Sequence, residues 1–313
     1  MDGKAPAARI RPRATVLMAT YNGRKWIDEQ VDSILGQRGV DVVLVVSDDG
    51  STDGTPERLI ERAAADPRIR VLPRRTGEPG VTGNFLHLFT TYVPDGSFVA
   101  FSDQDDVWRP DKLEHQIRLL DEGADVVSSN VVSFDERGES RLIEKNGPMR
   151  RWDHVFEAAG PGSTYVFSPA IHERLVGVLA DLDYSEIGVH DWYLYALARA
   201  IGAKWRIDEV PTVEYRQHGG NVQGANTGAA ARGARLSRLR SGFYRRQFVL
   251  TARMIERVND YPPELKKDLA LLIRELEDGS PVSRARFLRR CGQIRRNRRE
   301  GLELAVSRLL GVW

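Results

Sequence analysis

The residues best suited to chemistry in this chain are acids gathered in short polar clusters. Ser102-Asp103-Gln104-Asp105-Asp106-Val107-Trp108 packs three carboxylates into four positions. Like charges this close are costly without a counter-cation. Their hard oxygen atoms suit Mg²⁺ or Mn²⁺, ions that commonly bridge to substrate phosphates. The alternative is a solvated acidic turn that caps the next helix. A second cluster, Ser47-Asp48-Asp49-Gly50-Ser51-Thr52-Asp53, offers Asp48 or Asp49 as acceptors for a base or a ribose. Ser51, Thr52 and Asp53 read as turn chemistry. Asp191, in His190-Asp191-Trp192, stands at the start of an aromatic-rich helix. There it either serves the helix dipole or projects into a cleft as a general base. His218 lies on the Gly-rich stretch Tyr215–Asn221, which reads as a loop passing close to a ligand, or as an incidental histidine.

These clusters need elements to position them. Ala14–Thr20 is a short apolar, β-branched run that ends in the polar turn Tyr21-Asn22-Gly23, and it reads as a buried strand. Val42–Val46, Ile69–Leu72, Ser97–Phe101 and Asp125–Ser129 read likewise, as does Ser163–Phe167. Helical spacing appears between them. Thr55 is placed to cap a helix starting at Pro56, and Pro110 opens another. Asn84–Tyr92, Pro169–Leu179 and His190–Ile201 also read as helices, and residues 130–160 as turns with a hairpin. Strands alternating with helices imply right-handed βαβ units and a mostly parallel sheet. Ligands bind such sheets at the carboxyl ends of the strands, and three polar clusters sit at those ends here.

Composition excludes several classes. Among 313 residues, 41% are hydrophobic and 29% charged, enough for a sizeable core. Cys291 is the sole cysteine, so neither an intrachain disulfide nor a Cys-based metal site is available. The N-terminal residues lack the apolar stretch of a signal peptide, and no apolar run approaches the roughly 18 residues that span a bilayer. There is no P-loop, no G-x-G-x-x-G after the first strand, no nucleophile elbow and no H-E-x-x-H.

Taken in order, VLMATYNGRKWIDEQVDSILGQ, VVLVVSDDGSTDGT, FSDQDDVWRPDKLE, HDWYLYALA and YRQHGGNVQGA resemble glycosyltransferase family 2 over roughly residues 13–225. The later motifs look most like the bacterial rhamnosyltransferase-like branch, which builds surface polysaccharides. The resemblance implies an α/β GT-A fold and a nucleotide-diphospho-sugar donor (dTDP-rhamnose or a UDP-sugar), with inversion at the anomeric carbon. It implies Mn²⁺ or Mg²⁺ as cofactor and a glycan or lipid-linked acceptor. By motif, Thr20, Tyr21 and Asn22 would line the nucleobase pocket and Asp49 would bind the base edge. Asn84 and Gln104 would lie near the nucleotide or donor sugar. Asp103 would contact ribose or the metal's water, and Asp105 would be the principal metal ligand, with His218 approaching the metal or diphosphate. Asp191 matches the family's catalytic aspartate, although the usual Glu-Asp pair is His190-Asp191 here. A sugar nucleotidyltransferase is the rival enzyme, but its Gly-rich basic N-terminal loop is missing. The third reading is a non-catalytic binding module acting through the C-terminal segment.

The net charge of +2 hides an uneven distribution. Residues 1–230 hold 26 Lys/Arg against 35 Asp/Glu, a net of −9; residues 231–313 hold 20 against 9, a net of +11. We therefore expect a flexible N-terminus over 1–12, a catalytic domain over 13–225 with Gly224–Gly233 as linker, and a basic helical extension over 226–313. The arginines of that extension are either solvated on a helical annex packed on the body or turned toward anionic lipid. No nucleic-acid recognition motif accompanies them. Pairing of two copies through the extension is a further alternative. Together these features suggest a cytoplasmic protein, peripheral on the inner face of the plasma membrane.

Overall fold

The apolar runs of the sequence become strands of two sheets. The computed structural model describes residues 11–91, 96–219, 233 and 236–313. Its strands are β1 (Arg13–Thr20), β2 (Asp41–Asp48), β3 (Ile69–Val71), β4 (Phe98–Ser102), β5 (Val107–Trp108), β6 (Val126–Ser129), β7 (Val131–Asp135), β8 (Ser140–Ile143), β9 (Val166–Phe167), β10 (Trp205–Asp208) and β11 (Val213–Gln217). The helices are α1 (Ile27–Leu35), α2 (Thr55–Ala65), α3 (Val81–Thr91), α4 (Lys112–Asp121), α5 (Asp153–Phe156), α6 (Pro169–Ala180) and α7 (His190–Ala200). Four more follow: α8 (Phe243–Arg257), α9 (Pro263–Glu277), α10 (Pro281–Phe287) and α11 (Arg298–Leu309).

The larger sheet runs β10-β6-β9-β4-β1-β2-β3. All its pairings are parallel except those of β9, which is antiparallel to β4 and β6. Helices cover both faces, so β1 is buried from Ala14 to Thr20 and carries an unbroken apolar run instead of an alternating one. Register decides what meets at the strand ends. Thr20 pairs with Asp48, and Met18 pairs with Ser102. The polar turns after β1, β2 and β4 therefore emerge side by side.

The smaller sheet runs β5-β11-β7-β8. The expected hairpin is the β7–β8 pair. The rest of this sheet has little sequence signal, because β5 is only two residues long. Its effect is large nonetheless. Val107 pairs with Glu214, so the strand leaving the acidic cluster lies beside the strand leading to His218.

Local expectations needed three corrections. Residues 163–167 are not one strand: Gly162–Thr164 is a 3-10 turn and only Val166–Phe167 is extended. The Thr164 hydroxyl and N–H both donate to the Pro161 carbonyl, which closes the turn locally. The helix after Pro110 begins at Lys112, while the Pro110 carbonyl accepts from the Arg38 N–H. Thr55 is a helical residue rather than a cap; its hydroxyl donates to Asp53 and accepts from the Gly23 N–H. The expected linker at 224–233 lies almost wholly outside the described residues.

The C-terminal helices share the core of the sheet domain. Phe248 of α8 sits 4.7 Å from Phe156 and 5.4 Å from Trp192, and Phe287 of α10 lies 5.8 Å from Phe156. These residues, with Leu272 and Trp313, belong to one continuous apolar cluster with Phe101 and Leu194. Not all the arginines of this segment are solvated. Arg296 is 6% exposed and Arg308 1%. Arg308 donates to the carbonyls of Glu275, Leu276 and Asp278, and Arg290 pairs with Glu275. Arg296 donates to the carbonyls of Ala158 (2.5 Å) and Lys145 (3.2 Å) and to Asp153 (3.3 Å). Arg295 donates to the Phe156 carbonyl at 2.8 Å, and the Trp152 N–H donates to the Gln293 carbonyl. A buried arginine is tolerated only when its donors find acceptors, and residues 145–158 supply them.

Asp153 is the anionic centre of this staple. Burial alone would raise its pKa, but His154, Arg199 and Arg296 outweigh that and hold it at about 2. Its stabilising contribution is present above the unfolded carboxylate value and is lost as pH falls toward 2. Asp153→Asn is expected to cost about 3–5 kcal/mol by stranding buried charge. Urea titrations at neutral pH and across the acid range should show both the loss and a flatter acid limb. Truncation at residue 230 should yield a protein without a cooperative thermal transition, because the shared core is cut open; a sharp calorimetric transition would show the sheet domain to be autonomous.

Candidate active site

A cavity of about 1250 Å³ opens at the carboxyl ends of β1, β2 and β4. Thr20, Tyr21, Asp49, Asn84, Asp103, Gln104, Asp105 and Asp191 all line it. The structure thus gathers motifs from Thr20 to Asp191 around one cavity. Asn22 and His218 are not among the lining residues; His218 contacts Asp105, which is, whereas Asn22 bonds to Ser51 and Thr52 of the neighbouring turn.

At one end the turn after β1 is clamped by side chains from other loops. Consecutive backbone N–H groups of Tyr21, Asn22, Gly23 and Arg24 donate to Gln104 Oε1, Ser51 Oγ, Thr55 Oγ1 and Asp53 Oδ2, at 2.8 to 3.0 Å. Gln104 also returns a bond to the Tyr21 carbonyl at 2.9 Å. Its amide therefore holds the loop while the side chain borders the cavity. Asn22 adopts φ 51° and accepts the Thr52 N–H, a left-handed conformation that asparagine tolerates. Gly23 is required by proximity, since an added Cβ would lie 2.2 Å from Gln104 Oε1. The Tyr21 side chain is left largely exposed at the rim.

The two acids after β2 have different jobs. Asp48 turns inward to accept from Thr20 Oγ1, the Gly50 and Ser51 N–H groups and Ser51 Oγ. All its capacity goes to the turn. Asp49 faces the cavity, where Arg75 contacts it at 2.9 Å and the Gly80 N–H donates to it. Asn84 of α3 donates to the Ser47 carbonyl at 2.9 Å, and its buried Oδ1 has no partner. An unpaired buried acceptor beside a cavity is placed to receive a ligand's donor.

The acidic cluster sits deeper. Burial, then the charges of Asp105 and Asp191, push the Asp103 carboxyl up to about 8. Asp106 is buried; one oxygen accepts the Arg216 N–H at 3.1 Å and the other has no partner. Asp105 accepts from His218 Nε2 at 2.8 Å, and the His218 ring stacks on Trp26 at 3.9 Å. Arg216, one turn of strand earlier, donates to the Asp105 carbonyl at 2.8 Å. The β5–β11 pairing therefore brings His218 onto Asp105. Among the described residues no three His, Cys, Asp or Glu side chains converge as a ready-made metal cage. Two carboxylates on the cavity wall, with one imidazole bonded behind Asp105, fit the other style of divalent site, in which a substrate's phosphates complete the shell.

Asp191 faces this cluster from the first turn of α7. Its carboxylate accepts the Trp192 N–H at 2.6 Å and is also bonded by the Gly162 N–H. Burial dominates and raises its pKa to about 6, against the lowering influence of those N–H groups and of Lys145. The preceding His190 is neutral, since burial drops its pKa to about 3. Its ring stacks on Phe85 at 4.1 Å, and its Nε2 has no hydrogen-bond partner. A glutamate in that apolar slot would place a second unpaired negative charge beside Asp191.

Several contributors escaped the sequence reading. Gly162 has no motif signature, yet an added Cβ there would meet His190 Nε2 at 2.8 Å and Asp191 Cβ at 3.3 Å. Arg75 carries no pattern that separates it from the chain's other arginines. The far wall of the cavity comes from Lys145, Tyr244, Phe248, Glu300, Leu304 and Ser307. Five of these six lie in the C-terminal helices, whose contribution only packing reveals.

A sheet with acids at its strand ends, a nucleotide-sized cavity and a half-buried carboxylate opposite them defines a group-transfer enzyme of the GT-A type. The family model for Glycosyl transferase family 2 matches residues 15–170. The chain is 38% identical over 235 residues to the dTDP-rhamnosyl transferase RfbG of Shigella flexneri, covering 74% of this chain and 81% of that one. It belongs to glycosyltransferase family 2 and is a glycosyltransferase similar to that rhamnosyl transferase. The putative teichuronic acid biosynthesis glycosyltransferase TuaG of Bacillus subtilis is 28% identical, over 54% of this chain and 61% of its own. Among solved structures, the Pyrobaculum calidifontis mannosyltransferase PcManGT, in complex with GDP-Man and Mn²⁺, superposes with TM-score 0.54 at 20% identity, covering 99% of this chain and 77% of that one. S. aureus TarS 1–349 with UDP-GlcNAc superposes with TM-score 0.55 at 15% identity, over 96% and 89%. These two likenesses concern the fold.

Gly162→Ala should push Asp191 and His190 apart without touching the nucleotide end. Steady-state turnover is expected to fall about 100-fold, the scale of a small misplacement of a reacting group. The melting-temperature rise on adding nucleoside diphosphate should be unchanged.

Proposed function

We propose that this protein transfers a sugar from a nucleotide-diphospho-sugar to an acceptor hydroxyl with inversion, using Asp191 as the general base. The supporting observation is the Asp191 carboxylate itself: half-buried, raised to about 6, held by two backbone N–H groups, and facing the acidic cluster across one cavity. A carboxylate so poised is ionised at neutral pH yet a better base than an ordinary aspartate.

The remaining residues divide by place. Thr20, Tyr21 and Asn22 shape the nucleobase end, and Asp49 is the acceptor there for the base edge. Asn84 Oδ1 and the Gln104-held loop border the donor. Asp105, Asp103 and His218 are the residues that would hold Mn²⁺ or Mg²⁺. A divalent ion bound there supplies positive charge to the donor's diphosphate. Asp191 removes the proton of the incoming hydroxyl as it attacks the anomeric carbon, and the bond to the nucleoside diphosphate breaks on the opposite side. One base and one in-line displacement invert the centre, with no enzyme nucleophile. The RfbG likeness favours dTDP-rhamnose as donor, with a UDP-sugar as the alternative. The likeness to TuaG, named for teichuronic acid biosynthesis, favours a role in polysaccharide synthesis, and the acceptor we propose is a glycan or lipid-linked hydroxyl of that process.

A thermal-shift panel of nucleotide sugars with and without Mn²⁺ identifies the donor, because binding to the folded state raises the melting temperature. Asp191→Asn should lower turnover by roughly 10²–10⁴-fold with donor-induced stabilisation intact. In the parent enzyme kcat/KM should fall below about pH 6, as Asp191 takes up its proton. Asp105→Asn should abolish the Mn²⁺-dependent part of the shift. Turnover that survives both substitutions overturns the proposal.

A further inference from the structure

The last helix carries an exposed apolar face for which the cavity has no use. Helix α11 has three sides. Gly301, Ala305 and Arg308 are buried in the core. Glu300, Leu304 and Ser307 line the cavity. Leu302, Val306 and Leu309 recur at i, i+4 and i+7 on the third side, and all are exposed, with Leu310 beyond them 74% exposed. The neighbouring α10 packs against α11 and exposes Val282 at 67%. Arginines surround this apolar stripe. Arg298 and Arg299 begin α11, Arg286 and Arg289 stand on the exposed side of the α10 region, and all four are exposed. Arg299 faces Glu303 at 3.7 Å, with both side chains largely in solvent, so that pair neutralises little.

We propose that the outer face of α11, with the exposed end of α10, docks on an anionic lipid bilayer. Apolar side chains on one side of a helix, ringed by basic residues, are the chemistry of an interfacial helix. The leucines enter the acyl boundary while the arginines remain among anionic headgroups. A second copy of the chain fits the same face less well. A two-fold contact would gather the arginines of both copies around one patch.

The geometry couples docking to the cavity. One side of α11 would touch lipid while another lines the wall beyond Asp191, so the two are separated by one helix, about 10 Å. An acceptor whose lipid anchor stays in the bilayer could present its hydroxyl to that wall. This last consequence rests on the glycosyl-transfer reading; the docking surface does not.

The test is co-sedimentation of the full chain with vesicles of phosphatidylcholine alone and of an equimolar phosphatidylcholine–phosphatidylglycerol mixture. The parent protein should sediment with the anionic vesicles and stay in solution with the neutral ones. Arg298→Gln with Arg299→Gln should weaken partitioning about 25-fold, near fivefold for each charge removed. Leu302→Ser, Val306→Ser and Leu309→Ser together should abolish it. All five positions are exposed, so melting temperatures should not move. Equal sedimentation with both vesicles, or variants that bind like the parent, would overturn the proposal. So would a dimer by light scattering that the leucine substitutions convert to monomer. Nucleotide-sugar hydrolysis measured on the same samples separates the two ideas: vesicle binding without hydrolysis retains the surface and removes the proposed activity, and the converse removes the surface alone.

Discussion

Asp103, Asp105 and Asp191 share one cavity, with Asp106 buried beside them, although their charges repel, and the surrounding architecture depends on that constraint. Burial and mutual repulsion push Asp103 up to about 8 and raise Asp106 as well. Such an arrangement is unstable unless each carboxylate is separately anchored. The anchors come from different parts of the chain: His218 at the Asp105 carboxylate, the Arg216 N–H at Asp106, and the Gly162 and Trp192 N–H groups at Asp191, while the Arg216 side chain fixes the Asp105 main-chain carbonyl. Beneath them Lys112 is fully buried, bonded to Gln116 at 2.5 Å and lying over the Trp108 ring. Neutral His190 fits the same economy of charge, since it adds no anion beside Asp191.

The C-terminal helices belong to this problem, not to a separate module. Arg295 and Arg296 fasten residues 145–158, and that segment leads directly into Gly162. The chain that clamps Asp191 is thus itself held by arginines about 130 residues later in the sequence. The excess positive charge of the tail has two physical fates. Part of it is buried and hydrogen-bonded: Arg296 fastens the tail to the body, and Arg308 joins helices within the tail. The rest is exposed around an apolar stripe.

Much of the site was legible because parallel sheets follow simple rules. Apolar β-branched runs ending in polar turns mark buried strands whose carboxyl ends carry function, so Asp49, Asp103, Asp105 and Asp191 could be picked out as candidates. What escaped were partners without local pattern. Gly162 matters through the space it leaves and Arg75 through a pairing across a loop; His218 was a candidate, but its contact with Asp105 depends on the pairing of a two-residue strand. None of these leaves a periodic signal, because each depends on residues far away in the chain.

The sequence by itself determined the alternation of strands and helices, the family likeness, the order of the motifs and the division of charge between body and tail. Those are properties of neighbouring residues and of running composition. The tertiary structure alone decided which acids meet, that Asp48 serves the turn while Asp49 faces the cavity, and that the basic tail forms one wall of the site. The physical reason is range. Hydrophobic periodicity and turn chemistry act within a few residues, whereas the electrostatics of a buried carboxylate are set by whatever the completed fold brings within hydrogen-bonding distance.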